Sequence, residues 1–178
     1  MNRLTRRRFL ISAAAAAPLA ACPMQLLAAA QQTRSLSFNH LHTGEQLSVE
    51  YFSAGAYQTD ALAAVNHLLR DFRSGDMTTM DPALLDLLHG LRQLTGSRQP
   101  FQIISGYRSP ATNETLHKRS SGVASGSLHV KGKAIDIRVA DVALPRLRDA
   151  ALSLRGGGVG YYAGSNFIHV DTGRVRTW

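Results

Sequence analysis

Disulfides are excluded from this fold at the outset. Of 178 residues only Cys22 is a cysteine, and one thiol closes no intramolecular bridge. Stability must come from an apolar core instead, and 44% hydrophobic residues over this length suffice for a single domain. Long apolar runs are lacking too. The run Ile11–Ala21 is short and alanine-rich, which argues against a retained membrane span. No stretch interleaves basic residues with aromatics, so a nucleic-acid surface is not expected. Internal repeats and long linkers are absent. Acids are missing from the first thirty residues, which hold Arg3, Arg6, Arg7 and Arg8. The formal charge of +8 falls to about +4 without that segment, a mild basicity that fits a polyanionic matrix, cell wall or nucleic acid, without choosing between them.

The N-terminus does contain Thr5-Arg6-Arg7-Arg8-Phe9-Leu10, followed by the short apolar run and small residues. This pattern resembles a twin-arginine export signal, which predicts a periplasmic protein. Ala28-Ala29-Ala30 is an A-x-A cleavage site, dividing the chain into a signal peptide over 1–30 and one domain over 31–178. A competing site, Leu19-Ala20-Ala21-Cys22, resembles a lipobox that would place a lipid anchor on Cys22. The segment Met24-Gln25-Leu26-Leu27-Ala28 stays apolar, unlike a polar lipoprotein tether, and favours cleavage after Ala30.

Periodicity then predicts an α+β domain. Residues 35–53 read as a hairpin turning at His42–Glu45, with His40 and His42 as polar hairpin residues. Helices are expected over Asp60–Arg73, from an N-cap at Asp81 to about Leu94, over Asn113–Arg119 and over Leu144–Arg155. Phe101–Ile104 is a strand ending in the sharp turn Ser105-Gly106-Tyr107-Arg108-Ser109-Pro110. Val159–Tyr162 and Phe167–Val170 form a second hairpin.

The stretch Ser127–Arg138 carries the chemistry. His129 and Asp136 stand seven positions apart, and Asp136 interrupts an apolar alternation, Ala134-Ile135-Asp136-Ile137. A carboxylate there needs a partner, because burying it unpaired is costly. An arginine would serve, and a histidine in a strand can be merely structural. A metal shared with His129 would also serve. Imidazole and carboxylate suit zinc, whose catalytic sites take three protein ligands and keep one position open. Phe167-Ile168-His169-Val170-Asp171 offers the third ligand, with His169 and Asp171 on one strand face.

Four motifs in order carry a wider likeness: Ser105-Gly106-Tyr107-Arg108-Ser109, Ser127-x-His129-x-x-Gly132-x-Ala134-x-Asp136, Gly157-Gly158-Val159-Gly160-Tyr161-Tyr162 and Phe167–Gly173. Together they resemble the zinc peptidases of peptidoglycan related to D-Ala-D-Ala carboxypeptidases, within them the YcbK/MepK-like murein endopeptidases. The resemblance implies a hedgehog/DD-peptidase-like fold, a small antiparallel sheet packed with helices. It also implies one zinc ion on His129, Asp136 and His169, and peptidoglycan as substrate. Arg108 matches an arginine that contacts substrate, and Ser127 and Asp171 match positions lining the site. Tyr107 is a further candidate for the cleft. Many relatives carry Glu or Asp three positions before the last histidine. Here Asn166 stands there and cannot accept a proton from water, leaving Asp171 as candidate base or as a support for a ligand. The reaction implied is hydrolysis of D-Ala–diaminopimelate or diaminopimelate–diaminopimelate cross-links. A carboxypeptidase acting on stem peptides and a non-catalytic zinc-containing wall-binding protein are the alternatives.

Overall fold

Eight strands built on alternating apolar positions join into one sheet. The computed structural model describes residues 32–120 and 122–178. The expected export signal, the expected cleavage site after Ala30 and Cys22 lie outside the described residues. The strands are β1 (Arg34–His40), β2 (Gln46–Ser53), β3 (Ala56–Tyr57), β4 (Phe101–Ser105), β5 (Ala134–Val139), β6 (Gly158–Tyr162), β7 (Phe167–Asp171) and β8 (Arg176–Thr177). Their order across the sheet is β3-β2-β1-β4-β5-β7-β6-β8. This is larger than the small antiparallel sheet expected, and it is mixed: β1 and β4 run parallel, as do β6 and β8. The β1–β4 pair is parallel because two helices intervene and carry the chain back across the sheet, a crossover that a tight turn could not make.

The helices are α1 (Thr59–Leu68), α2 (Pro82–Thr95), α3 (Pro110–Arg119) and α4 (Leu144–Leu154). Helix α2 begins and ends as its sequence predicts. The Asp81 carboxylate accepts from the Ala83 amide at 3.0 Å, Pro82 takes the first helical position, and Gly96 closes the helix at φ 70°. Helix α1 stops five residues short of the expected Arg73. Asp71 explains the early stop: its carboxylate accepts from the Arg73 amide at 3.0 Å and the Ser109 amide at 2.9 Å. Those bonds offer the backbone an alternative to another helical turn.

Leu84, Leu85, Leu88 and Leu91 of α2 share one buried cluster with Leu147 and Ala151 of α4 and with Ile135, Ile137, Ile168 and Val170 of the central strands. Because strand side chains alternate, the apolar residues of β5 and β7 face these helices. Asp136, His169 and Asp171 therefore project from the other face. Among the described residues no helix is long and apolar enough to cross a membrane.

His40 departs from its expected place on a polar hairpin: it is fully buried. Its Nδ1 accepts from the backbone amides of His42 at 3.2 Å and Thr43 at 3.3 Å, so the ring closes the turn from inside. Its edge packs on Phe72, with ring centroids 5.6 Å apart.

Gly132 ends a short 3-10 turn, Leu128–Lys131, with φ at 65°. A Cβ there would lie 2.5 Å from the Thr79 carbonyl oxygen. Gly132→Ala should therefore cost about 1–3 kcal/mol, from the left-handed backbone and the close approach together. Urea denaturation measures it, and an unchanged midpoint would show that neither constraint operates.

Candidate metal centre

Strand pairing sets the first two residues of the centre side by side: Asp136 on β5 is the register partner of His169 on β7. His129 comes from the 3-10 turn just before β5, where the Ser127 hydroxyl accepts from the His129 amide at 3.3 Å and fixes the turn's start. His129 Nε2 lies 3.2 Å from Asp136 Oδ1 and 3.1 Å from His169 Nδ1, and His169 Nδ1 lies 2.9 Å from the same Oδ1. All three residues are buried. Ligands about 2.0–2.1 Å from a tetrahedral ion stand about 3.3 Å from one another, so the spacing fits one ion.

The outer nitrogen of each ring decides what the inner one offers. His129 Nδ1 lies 2.7 Å from the Gly106 carbonyl oxygen, which can only accept, so Nδ1 carries the proton. His169 Nε2 lies 2.9 Å from Asp171 Oδ2, which makes it the donor there. In the neutral rings the remaining lone pairs, on His129 Nε2 and His169 Nδ1, both point at Asp136 Oδ1, itself an acceptor. Three acceptors converge on one point, and a cation is what such a point can hold. Among the described residues His129, Asp136 and His169 form a group able to hold a metal ion, and His40 and His42 are outside it.

A second layer holds this set. Arg108 Nη2 donates to Asp136 Oδ2 at 3.0 Å and its Nε to Ser105 Oγ at 3.1 Å. The turn bearing Arg108 is tied down in its own right: the Tyr107 amide donates to the Leu69 carbonyl at 2.8 Å and the Ser109 amide to Asp71. The Asp171 carboxylate is fully enclosed. Besides His169 it receives the amides of Gly158 at 3.0 Å and Gly173 at 2.8 Å, and both Arg176 terminal nitrogens at 3.0 and 2.7 Å.

Burial raises the cost of ionising Asp136 and Asp171, yet both are held well below the usual carboxylate range. The two histidines do this for Asp136; His169, Arg176 and the two amides do it for Asp171. Burial holds the His129 pKa down despite Asp136. His169 resists burial, and its two carboxylate neighbours raise its pKa.

Above the centre opens a cleft of about 270 Å³. Arg108, Ser127, His129 and His169 line it. Tyr107 and Asp171, both expected at the site, are not among the residues lining the cleft, and neither is Asn166. Tyr107 packs against the hydrophobic core, and Asn166 lines a separate recess with Gln102 and Arg138. Asn166 ends a tight turn at φ 53°, a backbone state asparagine tolerates better than most residues. Sequence reasoning passed over Asp71, the Gly106 carbonyl and Arg176. A backbone oxygen leaves no residue signal, and Arg176 is one of many arginines.

A family model described as peptidoglycan L,D-endopeptidase MepK matches residues 28–178. The peptidoglycan L,D-endopeptidase MepK of Escherichia coli is 50% identical over 145 residues, covering 82% of this chain and 80% of that protein. The probable peptidoglycan L,D-endopeptidase MepK of Haemophilus influenzae is 42% identical over 176 residues, covering 97% and 95%. By the extent of these matches and the site they span, the chain belongs to the MepK family of peptidoglycan L,D-endopeptidases.

Proposed function

We propose that this chain is a zinc-dependent endopeptidase of the periplasm that hydrolyses peptide cross-links of peptidoglycan. The observation that carries the proposal is the convergence of three buried acceptors, His129 Nε2, Asp136 Oδ1 and His169 Nδ1, beneath an open cleft. Two imidazoles and one carboxylate suit zinc, and three protein ligands leave a position for water or substrate. When bound, zinc polarises a carbonyl and acidifies a water molecule. The designation of the relatives as L,D-endopeptidases favours the diaminopimelate–diaminopimelate link over the D-Ala–diaminopimelate link. Export by the twin-arginine signal and cleavage after Ala30 would deliver residues 31–178 to the wall.

The protein's own groups divide the work. Arg108 lines the cleft with a permanently charged fork, suited to a substrate carbonyl or carboxylate and to the charge that develops on the carbonyl oxygen. The same side chain braces Asp136. Ser127 sets the turn that aims His129. Asp171 orients His169 and fixes its tautomer; its oxygens are filled by donors, which leaves no free lone pair for a proton from water. No Asp or Glu is among the described residues lining the cleft.

Purified cross-linked muropeptides should be converted from dimers to monomers with zinc and not with chelator, read by mass spectrometry. Loss of terminal D-Ala from monomers with dimers intact would make the protein a carboxypeptidase instead. His129→Ala should lose bound zinc and activity together, measured by elemental analysis and turnover.

Asp171→Asn should weaken zinc affinity by about 10–100-fold, with activity recovering at high zinc. Activity lost at full zinc occupancy would instead assign Asp171 as the base. Zinc affinity should also fall on acidification. Both inner nitrogens must be unprotonated to bind, and the raised pKa of His169 makes its proton compete first, from above the ordinary histidine value near 6.5. Competition with a chromophoric chelator across pH measures this, and a flat profile would refute it.

A further inference from the structure

The Trp178 indole has no part in holding the metal centre, yet it stands beside it. Its ring centroid is 5.2 Å from that of His169, and it lines the cleft while 49% exposed. We propose that Trp178 is a substrate-binding wall of the cleft, taking the aliphatic arm of the cross-linking diamino acid against its exposed face. This rests on the peptidoglycan reading above and specifies what the cleft reads.

The indole is fixed from several sides. Its backbone extends the pairing of β8 with β6: the Tyr161 amide donates to the Trp178 carbonyl at 3.0 Å, and the Trp178 amide donates to the Val159 carbonyl at 3.3 Å. Its Nε1 donates to the Tyr162 hydroxyl at 2.8 Å, and Tyr162 stacks on Phe167 with centroids 4.6 Å apart. The Arg176 guanidinium, already bound to Asp171, sits 4.8 Å from the indole centroid.

Gly160 makes room for this arrangement. It is the register partner of His169 on the neighbouring strand, and a Cβ on it would come within 2.7 Å of the indole. An aromatic side chain whose polar atom is satisfied and whose ring stays half open loses little conformational freedom when a ligand covers it. The remaining lining combines small residues, Gly122, Val123, Ala124 and Gly126, with Leu128, Tyr162 and Arg176. A cleft with an indole, several small residues and no acid among its described lining suits an unbranched aliphatic chain, while Arg108 takes the polar end.

Trp178 is the chain's single tryptophan, so intrinsic fluorescence reports on it alone. Stopped-flow mixing of the zinc-loaded protein with sugar-free cross-linked peptide dimers should give a saturable emission change before cleavage. Trp178→Ala should raise KM for dimers about tenfold, leaving kcat within about twofold and zinc content unchanged, and Trp178→Phe should largely restore KM. Gly160→Ala keeps the tryptophan but displaces it, and should raise KM in the same way. An unchanged KM in Trp178→Ala, or a fall in kcat alone, would overturn the proposal. So would an emission change seen only with dimers that still carry their sugars, since the wall would then read the glycan. Failure of the wild-type protein to cut any dimer would defeat the endopeptidase reading instead, a result separable from these.

Discussion

Three acceptors aimed at one buried point are a liability that most of this fold serves to contain. Left alone, a carboxylate oxygen and two imidazole lone pairs about 3 Å apart would repel and reorient. They stay because each has a second bond that fixes its orientation. Gly106 holds His129, Asp171 holds His169, and Arg108 holds Asp136. Desolvating a carboxylate costs several kcal/mol even after relaxation, and the hydrogen bonds around Asp136 offset that cost.

Those supports come from remote parts of the chain, brought together by the sheet. The register of β5 against β7 places Asp136 beside His169, and β6 places Gly160 on the other side of that row. A slip of one residue in either pair would turn the ligands into the helix-facing core. The leucines of α2 and α4, packed on Ile135, Ile137, Ile168 and Val170, oppose such a slip, so core packing sets the positions of Asp136 and His169.

Asp136 and His169 were legible because strand alternation is a local signal, whereas His129, in a 3-10 turn, stood out only by its spacing from Asp136 and by the family likeness. A carboxylate between Ile135 and Ile137, and a histidine between Ile168 and Val170, contradict an apolar pattern and so advertise a function. The helices were legible from their stripes and caps. What could not be read was set by contacts between distant residues. Nothing local tells that Asp71 ends α1 by bonding the amide of Ser109, or that His40 is buried behind Phe72. The parallel pairing of β1 with β4 depends on how two helices fold back, which periodicity does not encode. Asn166 drew attention through the family pattern, but its φ of 53° and its separate recess make it a turn residue. Asp171 was a candidate base or support for a ligand, and its five donors, which no sequence pattern shows, favour the support role.

Charge balance links these supports to reactivity. Each buried carboxylate of the centre is paired with an arginine: Asp136 with Arg108, and Asp171 with Arg176. The pairs are neutral, so a divalent cation held by His129, Asp136 and His169 would add net positive charge to the site. Carboxylates left unpaired would instead offset that charge and weaken the ion's pull on a substrate carbonyl. The cleft shows the same economy, for the described residues lining it include arginines and no acids. A site so arranged favours electron-rich oxygens, such as the carbonyls and free carboxylates of a peptide cross-link. It also disfavours any cationic group near the ion, so an amine of the substrate would be drawn away from the centre and toward solvent.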